Sequence, residues 1–598
     1  MSDRDLPPSF AATAALTPEA VADGTTGVMT LGNAGNTVIL STISTLVGGA
    51  GTDQITLSGT GNTILVSAVE VLFGGAGSDV VFLASSGATT TVEGVEILVG
   101  GSGAEAVTLG TGGQTMLLRG LSTLTGGLGS DVVFIGDTGT TMGIQSAVEI
   151  LVGGAGTDMI ALAGGGSTML LRGLETLSGG AGTDIITIGD TGTTMMVNLL
   201  ETLVGGAGSD VIFFGSGGAT TVVEGVEILV GGSAAETVTL GAAGGQTVLL
   251  RGLNTLIGGA GSDLVFIGDT GTTMALETAV EILVGGAGTD LISLGAGGGT
   301  VLLRGLETLA GGAGTDVITI GNTGTTMLVS GLDVLVGGTA SDLIFTSGSG
   351  ALLLDRVEII VGGTGTDVVS LATGGQTILL RGLETLVGSA DKDVITLGDT
   401  GTTMAVAALD TLIGGAAADA ITLTSGTVRF WGSTGADTLA LTATVATDVV
   451  IYNSDSEGGV IGAVTGNDVV SGFQAGTDQI IIASSFRSLV DRDGNGSFAI
   501  ASRAANAVDM GSDEVVIVTT AAAALADAGF AGVRAAIGTL VNPKTGASLL
   551  VFASDGANTG MYVATDINGN ASIGADEIKM VTLFSGTATM NALSIVPG

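Results

Sequence analysis

The residues of this 598-residue chain that could do chemistry are carboxylates set among glycines, because histidine and cysteine are both absent. A phrase of the form Gly-Gly-x-Gly-x-Asp returns from Gly48 to Asp419 with a period of roughly 26 residues, within the range of repeat architectures. Its acidic positions are Asp53, Asp79, Glu105, Asp131, Asp158, Asp184, Asp210, Glu236, Asp263, Asp290, Asp316, Asp342, Asp367, Asp393 and Asp419. Carboxylates beside glycine corners, where backbone carbonyls are exposed, are oxygen donors of the kind a hard divalent cation takes, and calcium accepts six to eight of them in flexible geometry. The missing residue types exclude disulfides, thiolate and imidazole metal sites, cysteine nucleophiles and Ser-His catalysis.

Two loops near the C-terminus carry the same chemistry at a different spacing. Asp566, Asn568, Asn570 and Glu577 occupy positions 1, 3, 5 and 12 of an EF-hand-like loop with Ile573 at position 8, although Ala571 stands where glycine is expected. Asp491, Asp493 and Asn495 repeat the first half, with Gly496 at position 6, but Ser502 at position 12 offers no bidentate carboxylate. A polar turn accounts for that half-loop equally well. A second acidic line, Glu70, Glu96, Glu149, Glu175, Glu201, Glu227, Glu281, Glu307, Asp333, Glu358, Glu384 and Asp410, lies four residues before successive Gly-Gly pairs. It reads as a solvated edge that keeps an apolar array soluble.

The elements that must position these groups follow from the period. Residues 153–178 contain three apolar runs, Met159–Leu162, Thr168–Leu171 and Leu174–Leu177, each too short for a helix and each bounded by glycine. A tight period of this kind marks a solenoid whose coils bury their apolar faces by stacking. The expected fold class is all-β: a long parallel β-solenoid with three short strands per coil of about 26 residues, triangular in section and right-handed. On that plan Asp158 and Asp184 superpose, and the fifteen corner acids form one file at about 4.8 Å spacing. Their mutual repulsion calls for a cation. Residues one period apart should then touch, pairing Glu93 with Arg119, Glu224 with Arg251, Glu277 with Arg304 and Asp355 with Arg381.

The nonapeptides GGAGTDQIT (from Gly48), GGAGTDMIA (from Gly153), GGAGTDIIT (from Gly179) and GGAGTDVIT (from Gly311) resemble the RTX family, the Gly/Asp-rich repeats of bacterial type I secretion. The resemblance implies calcium between the loops of successive turns and ordering of the repeats after export. It makes Asp53, Asp79, Asp131, Asp158, Asp184, Asp210, Asp263, Asp290, Asp316, Asp342 and Asp367 candidate metal ligands. Asp437 and Asp478, in the RTX-like scraps GSTGAD and QAGTD, join them. The corners at Glu105, Glu236, Asp393 and Asp419 depart from the motif and are poorer candidates. Family nonapeptides run back to back, whereas here each is followed by two segments without the motif, whose corners should hold no metal.

The chain divides on this reading into an N-terminal cap (1–24), a repeat array (25–430), an RTX-like transition (431–483) and a β-rich C-terminal domain (484–598) with one short helix within residues 519–540. Met580 to Gly598 resembles an uncleaved type I secretion signal, and Met1 to Gly24 has no apolar run of signal-peptide length. A net charge of −41 opposes binding to nucleic acid or to an anionic bilayer, and no apolar run is long enough to suggest a membrane span. The expected function is a secreted, calcium-binding structural protein that self-associates as a surface-layer or filament subunit on a Gram-negative cell, with cell-surface polysaccharide as a further partner. An adhesin for glycan, another surface or ice is the alternative, and a polysaccharide-active β-helix enzyme a third. No enzymatic activity is expected, since short corners leave no cleft.

Overall fold

The computed structural model describes residues 20–23, 27–84, 89–136, 139–189, 192–218, 220–242, 244–268, 271–277, 279–442 and 444–598, and the chain falls into two compact units, Met1–Gly295 and Ala296–Gly598. The first unit is a parallel β-solenoid. Its strands go alternately to two sheets: Thr37–Ser41, Gln54–Leu57 and Val71–Phe73 pair in one, while Thr45–Val47, Thr63–Ser67 and Val80–Leu83 pair in the other. Most of the N-terminal segment expected to act as a cap lies outside the described residues; Ala20–Asp23 pairs in parallel with Thr37–Ser41.

The coil closes after two strands, not three. Gln54 pairs with Val71 and Val71 with Thr91, so the chain returns to the same sheet at every second strand, and a three-strand repeat is one and a half turns. The roll is two-sided where a triangle was expected. The reason is the size of the interior side chains. Strands of three to five residues turn one or two residues inward, and these are aliphatic, among them Leu46, Ile55, Leu72, Val81 and Leu98, all fully buried. Such residues fill the gap of about 10 Å between two facing sheets, whereas a three-sided tube needs more volume along its axis. Most aromatic residues of the first unit face outward, as Phe82, Phe134, Phe213 and Phe266 do, Phe214 being turned inward.

One and a half turns also separates the expected ion pairs. Glu93 ends a strand in one sheet and Arg119 ends a strand in the other. Each lies instead over a glycine of the next coil, Glu93 over Gly110 and Arg119 over Gly136, where the missing side chain makes room for its stem.

The second unit repeats this construction, with Gly299–Arg304, Asp316–Ile320 and Val334–Val336 in one sheet and Thr308–Ala310, Thr326–Ser330 and Leu343–Thr346 in the other. Its last coil strands are Asp468–Ser471 and Gln479–Ile482. The C-terminal residues extend both sheets: Ile578–Ser585 pairs with Asp468–Ser471, and Ile595–Pro597 with Gln479–Ile482. From Ile578–Ser585 the sheet continues through Thr559–Asp566, Ala547–Ser554, Val515–Val518 and Ile500–Arg503. The expected helix is Ala531–Ile537, and a second, Ser484–Val490, follows the last coil. Helix Ala531–Ile537 packs into a core around Tyr562, whose hydroxyl donates to the Leu525 carbonyl at 2.7 Å. Met580 to Gly598, read as a secretion signal, contains most of strand Ile578–Ser585 and all of Ile595–Pro597, joined through a short 3-10 turn at Ala592–Ser594.

Candidate metal centres

Each motif corner is built by close stacking of backbone. A Cβ on Gly205 would lie 1.8 Å from the carbonyl oxygen of Gly225 on one neighbouring coil, and a Cβ on Gly206 would lie 2.1 Å from that of Gly189 on the other. The coil spacing itself therefore favours the Gly-Gly pair, although Ser389 takes the second place in the Asp393 corner and donates its backbone N–H to Asp393. Over Gly205, Asp210 Oδ2 and the Gly225 carbonyl oxygen converge, a pair of hard oxygen donors. Gly153 has the same arrangement with Asp158 and Gly173, as does Gly179 with Asp184 and Leu199.

The aspartates are fully or almost fully buried, and most of them cap two turns. Asp158 Oδ1 accepts from the backbone N–H of Thr140 at 2.8 Å, one coil back, and Oδ2 from Gly154 N–H at 2.9 Å. Asp53, Asp79, Asp131, Asp184, Asp210, Asp263, Asp290 and Asp342 each accept the same two kinds of bond. Asp367 accepts from Gly363 N–H at 3.1 Å. Asp316 accepts from Gly312 N–H at 2.8 Å, but its Oδ1 is buried without a partner. Each carboxylate oxygen that takes one N–H bond keeps a lone pair for a cation.

Successive motif acids do not form a file. Asp158 leads into a strand of one sheet and Asp184 into a strand of the other, so each edge meets a motif aspartate only at every third coil. The neighbour on the same edge is the second acidic line. Asp158 N–H donates to Glu175 Oε2 at 2.8 Å, and Asp53, Asp79, Asp131, Asp184, Asp210 and Asp263 donate likewise to Glu70, Glu96, Glu149, Glu201, Glu227 and Glu281. In the second unit Asp333, Glu358, Glu384 and Asp410 do the same for Asp316, Asp342, Asp367 and Asp393. The line read as a solvated edge is thus a row of structural acceptors. At Glu105 and Glu236 the longer acid leaves carboxylate oxygens buried and unpartnered.

A true file of acids exists at the end of the roll. Asp419 N–H donates to Asp437 Oδ1 at 2.8 Å, and Asp437 N–H to Asp468 Oδ1 at 3.0 Å; on the other edge Asp448 N–H donates to Asp478 Oδ1 at 3.0 Å. Asp437 Oδ2 and Asp448 Oδ2 are buried without partners. Burial pushes the Asp437 carboxyl up to about 7, that of Asp468 to about 8 and that of Asp448 to about 6, with neighbouring carboxylates adding to the rise. Asp468 and Asp448 are additions to the candidates read from sequence, which named Asp437 and Asp478. Their partners 30 or 31 residues away broke the repeat spacing and hid them.

The EF-hand-like loop closes as its spacing implies. Glu577 Oε1 accepts from Ile567 N–H at 2.9 Å, bringing position 12 back to position 2, beside Asp566. Asp566 Oδ1 accepts from Gly569 N–H at 2.6 Å while its Oδ2 is buried and unpartnered. Asn568 and Asn570 turn their side-chain oxygens to the N–H groups of Asn570 and Ser572. Ile573 is buried in the C-terminal core, and Gly569, not position 6, takes the left-handed conformation at φ 74°. In the other loop, Asp491, Asp493 and Glu514 bring carboxylate oxygens within 4.8 Å of one another.

Residues 202–220, 250–269 and 281–301 match the family described as the RTX calcium-binding nonapeptide repeat. These segments contain the motif acids Asp210, Asp263 and Asp290. No curated protein and no solved structure matches the chain. The chain carries RTX repeats, and calcium is the ion such repeats bind. The corner oxygens fit it by chemical type, since carboxylate and carbonyl oxygens are what calcium takes. No helix of the described residues is long and apolar enough to cross a membrane.

Proposed function

We propose that this RTX-repeat chain is a non-enzymatic structural protein, secreted by a Gram-negative cell, in which calcium stiffens a β-solenoid that assembles into sheets or filaments outside the cell. Bound calcium would be held by the motif aspartates Asp53, Asp79, Asp131, Asp158, Asp184, Asp210, Asp263, Asp290, Asp316, Asp342 and Asp367 with carbonyls of the adjoining coils. Asp437 and Asp478 at the end of the roll, and the loops at Asp491, Asp493 and Asn495 and at Asp566, Asn568, Asn570 and Glu577, are further ligands. At Asp437 calcium would neutralise a carboxylate whose burial otherwise disfavours its charged form.

The observation that carries assembly is the outer surface of the first unit. Outward residues stack into apolar columns: Leu65 beside Phe82 beside Val99 on one sheet, and Met196 beside Phe213 beside Val230 on the other. Phe82, Phe213 and Met196 are 40%, 39% and 44% exposed. Apolar columns on both faces suit lateral contact between copies. A cavity of about 360 Å³ in the second unit, lined by residues such as Ser502, Ile517, Phe552 and Met590, has no titratable side chain among them, and the carboxylates Asp576 and Glu577 beside a smaller cavity of about 150 Å³ belong to the EF-hand-like loop.

Electron microscopy of the full chain with calcium and with chelator tests this reading. Sheets or fibres that disperse on chelation are expected. Isolated particles that bind glycan would favour an adhesin, and release of reducing sugar from a polysaccharide would show an enzyme.

A further inference from the structure

The half-loop at Asp491 lacks its closing acid in sequence, and the fold supplies one. Strand Ile500–Arg503 pairs in parallel with Val515–Val518, which brings Glu514, far beyond the reach of a twelve-residue loop, against the foot of the half-loop. Glu514 Oε1 accepts from Arg492 N–H at 2.8 Å and Oε2 from Ala499 N–H at 2.9 Å, so one carboxylate clasps both ends of the loop. This is the place a bidentate acid takes at position 12 of an EF-hand loop, reached through sheet pairing instead of chain continuity.

Three observations give the cluster the character of a cation site. Oxygens of Asp491, Asp493 and Glu514 lie within 4.8 Å of one another, so a point between them lies within about 2.8 Å of all three, a small closure from the 2.3–2.6 Å calcium–oxygen distance. Asp491 is 9% exposed and its Oδ1 is buried with no hydrogen-bond partner, an arrangement costly for a carboxylate unless something meets it. Among the described residues no Lys or Arg side chain forms an ion pair with any of the three. Arg492, the nearest in sequence, turns its guanidinium to the carbonyls of Met510 and Asp513.

The cluster is also held in place. Arg503 grips Asp513 with two bonds, Nε to Oδ2 at 2.9 Å and Nη2 to Oδ1 at 2.5 Å, and Glu514 N–H donates to the Ala499 carbonyl at 3.2 Å. Gly494 and Gly496 take positive φ of 65° and 80°, and Gly496 N–H donates to Asp491 Oδ2 at 2.9 Å, which folds the loop over the acids.

We infer that Asp491, Asp493 and Glu514 form a discrete calcium site, separate from the repeat corners, whose ion ties the Asp491–Ser497 loop to strand Val515–Val518 of the C-terminal sheet. It stands whether or not the repeats assemble. Native mass spectrometry of the full chain in calcium tests it by counting ions. Asp493→Ala removes an oxygen donor at an exposed position outside the core, so it should bind one ion fewer than the wild type. Glu514→Gln should lose the same ion, and the double variant one ion in total, not two. Anomalous diffraction from crystals grown with calcium should place a peak among the three carboxylates. An unchanged ion count in Asp493→Ala, or ions at the repeat corners with none at this loop, would overturn the inference.

Discussion

Asp158 donates its backbone N–H to the carboxylate of Glu175 on the next coil, while Asp184, one repeat on, opens a strand in the opposite sheet. The repeat in the sequence and the turn of the roll are different lengths. Repeats with Leu-Arg-Gly-Leu, at Arg119, Arg172, Arg251, Arg304 and Arg381, mostly alternate in the sequence with repeats carrying Gly-Asp/Asn-Thr-Gly-Thr-Thr-Met, from Gly136, Gly189, Gly268, Gly321 and Gly398. Two repeats make three turns, which gives that alternation a physical basis, since equivalent strands return to the same sheet only at every second repeat.

Asp158→Ala should loosen its corner. The substitution removes the acceptor for two backbone N–H groups, those of Thr140 and Gly154, at a site with no solvent exposure. An unpaired buried donor costs about 1–3 kcal/mol. In a repeat array the loss stays local, so the measurement is hydrogen exchange. The amides of Thr140 and Gly154 should exchange faster while distant coils hold their protection.

Glu175→Gln and Glu175→Ala should separate structure from charge. The glutamine carbonyl still accepts the Asp158 N–H, so that variant should keep slow exchange at this amide. Alanine leaves the donor unpaired, and protection should fall by about 1 kcal/mol or more. If the row served solubility alone, both variants would exchange alike.

Gly153→Ala and Gly165→Ala should differ sharply. A Cβ on Gly153 would lie 1.8 Å from the Gly173 carbonyl oxygen, and neither backbone can give way without parting the coils. A Cβ on Gly165 meets nothing within 4 Å. The first variant should lose about 1–3 kcal/mol or more from overpacking, and the second should stay near neutral or gain slightly. Local unfolding followed by proteolysis or hydrogen exchange distinguishes them.

What could be read from sequence was the local rule and what could not was the closure. Glycine punctuation and two-residue alternation in stretches such as Gln54–Leu57 identify parallel strands of the right length. The number of strands per turn depends on how interior side chains fill the space across the roll, and only the alternation of repeat types carries that signal. Likewise Asp566 and Glu577 lie within one loop and were visible by spacing, whereas Glu514 reaches Asp491 through strand pairing, which no linear pattern encodes. The stacked acids Asp437 and Asp468 are separated by an insertion, so their contact was hidden too.

The acids at the end of the roll make stability depend on pH when calcium is removed. Burial raises the Asp468 carboxyl to about 8 and Asp437 to about 7, against 3.8 when unfolded. Between about pH 4 and pH 8 the folded chain therefore holds protons that the unfolded chain has released, and stability must fall as pH rises through that window. Chelated protein should thus melt at progressively lower temperature from pH 4 to pH 8 in the C-terminal part of the second unit, and Asp468→Asn should flatten the slope. If calcium takes the place of those protons, it should bind more tightly as pH rises over the same range and restore the melting temperature at pH 8. Thermal melts with and without calcium check both statements, and a chelated protein whose stability rises with pH would mean that these carboxylates are solvated and ionised.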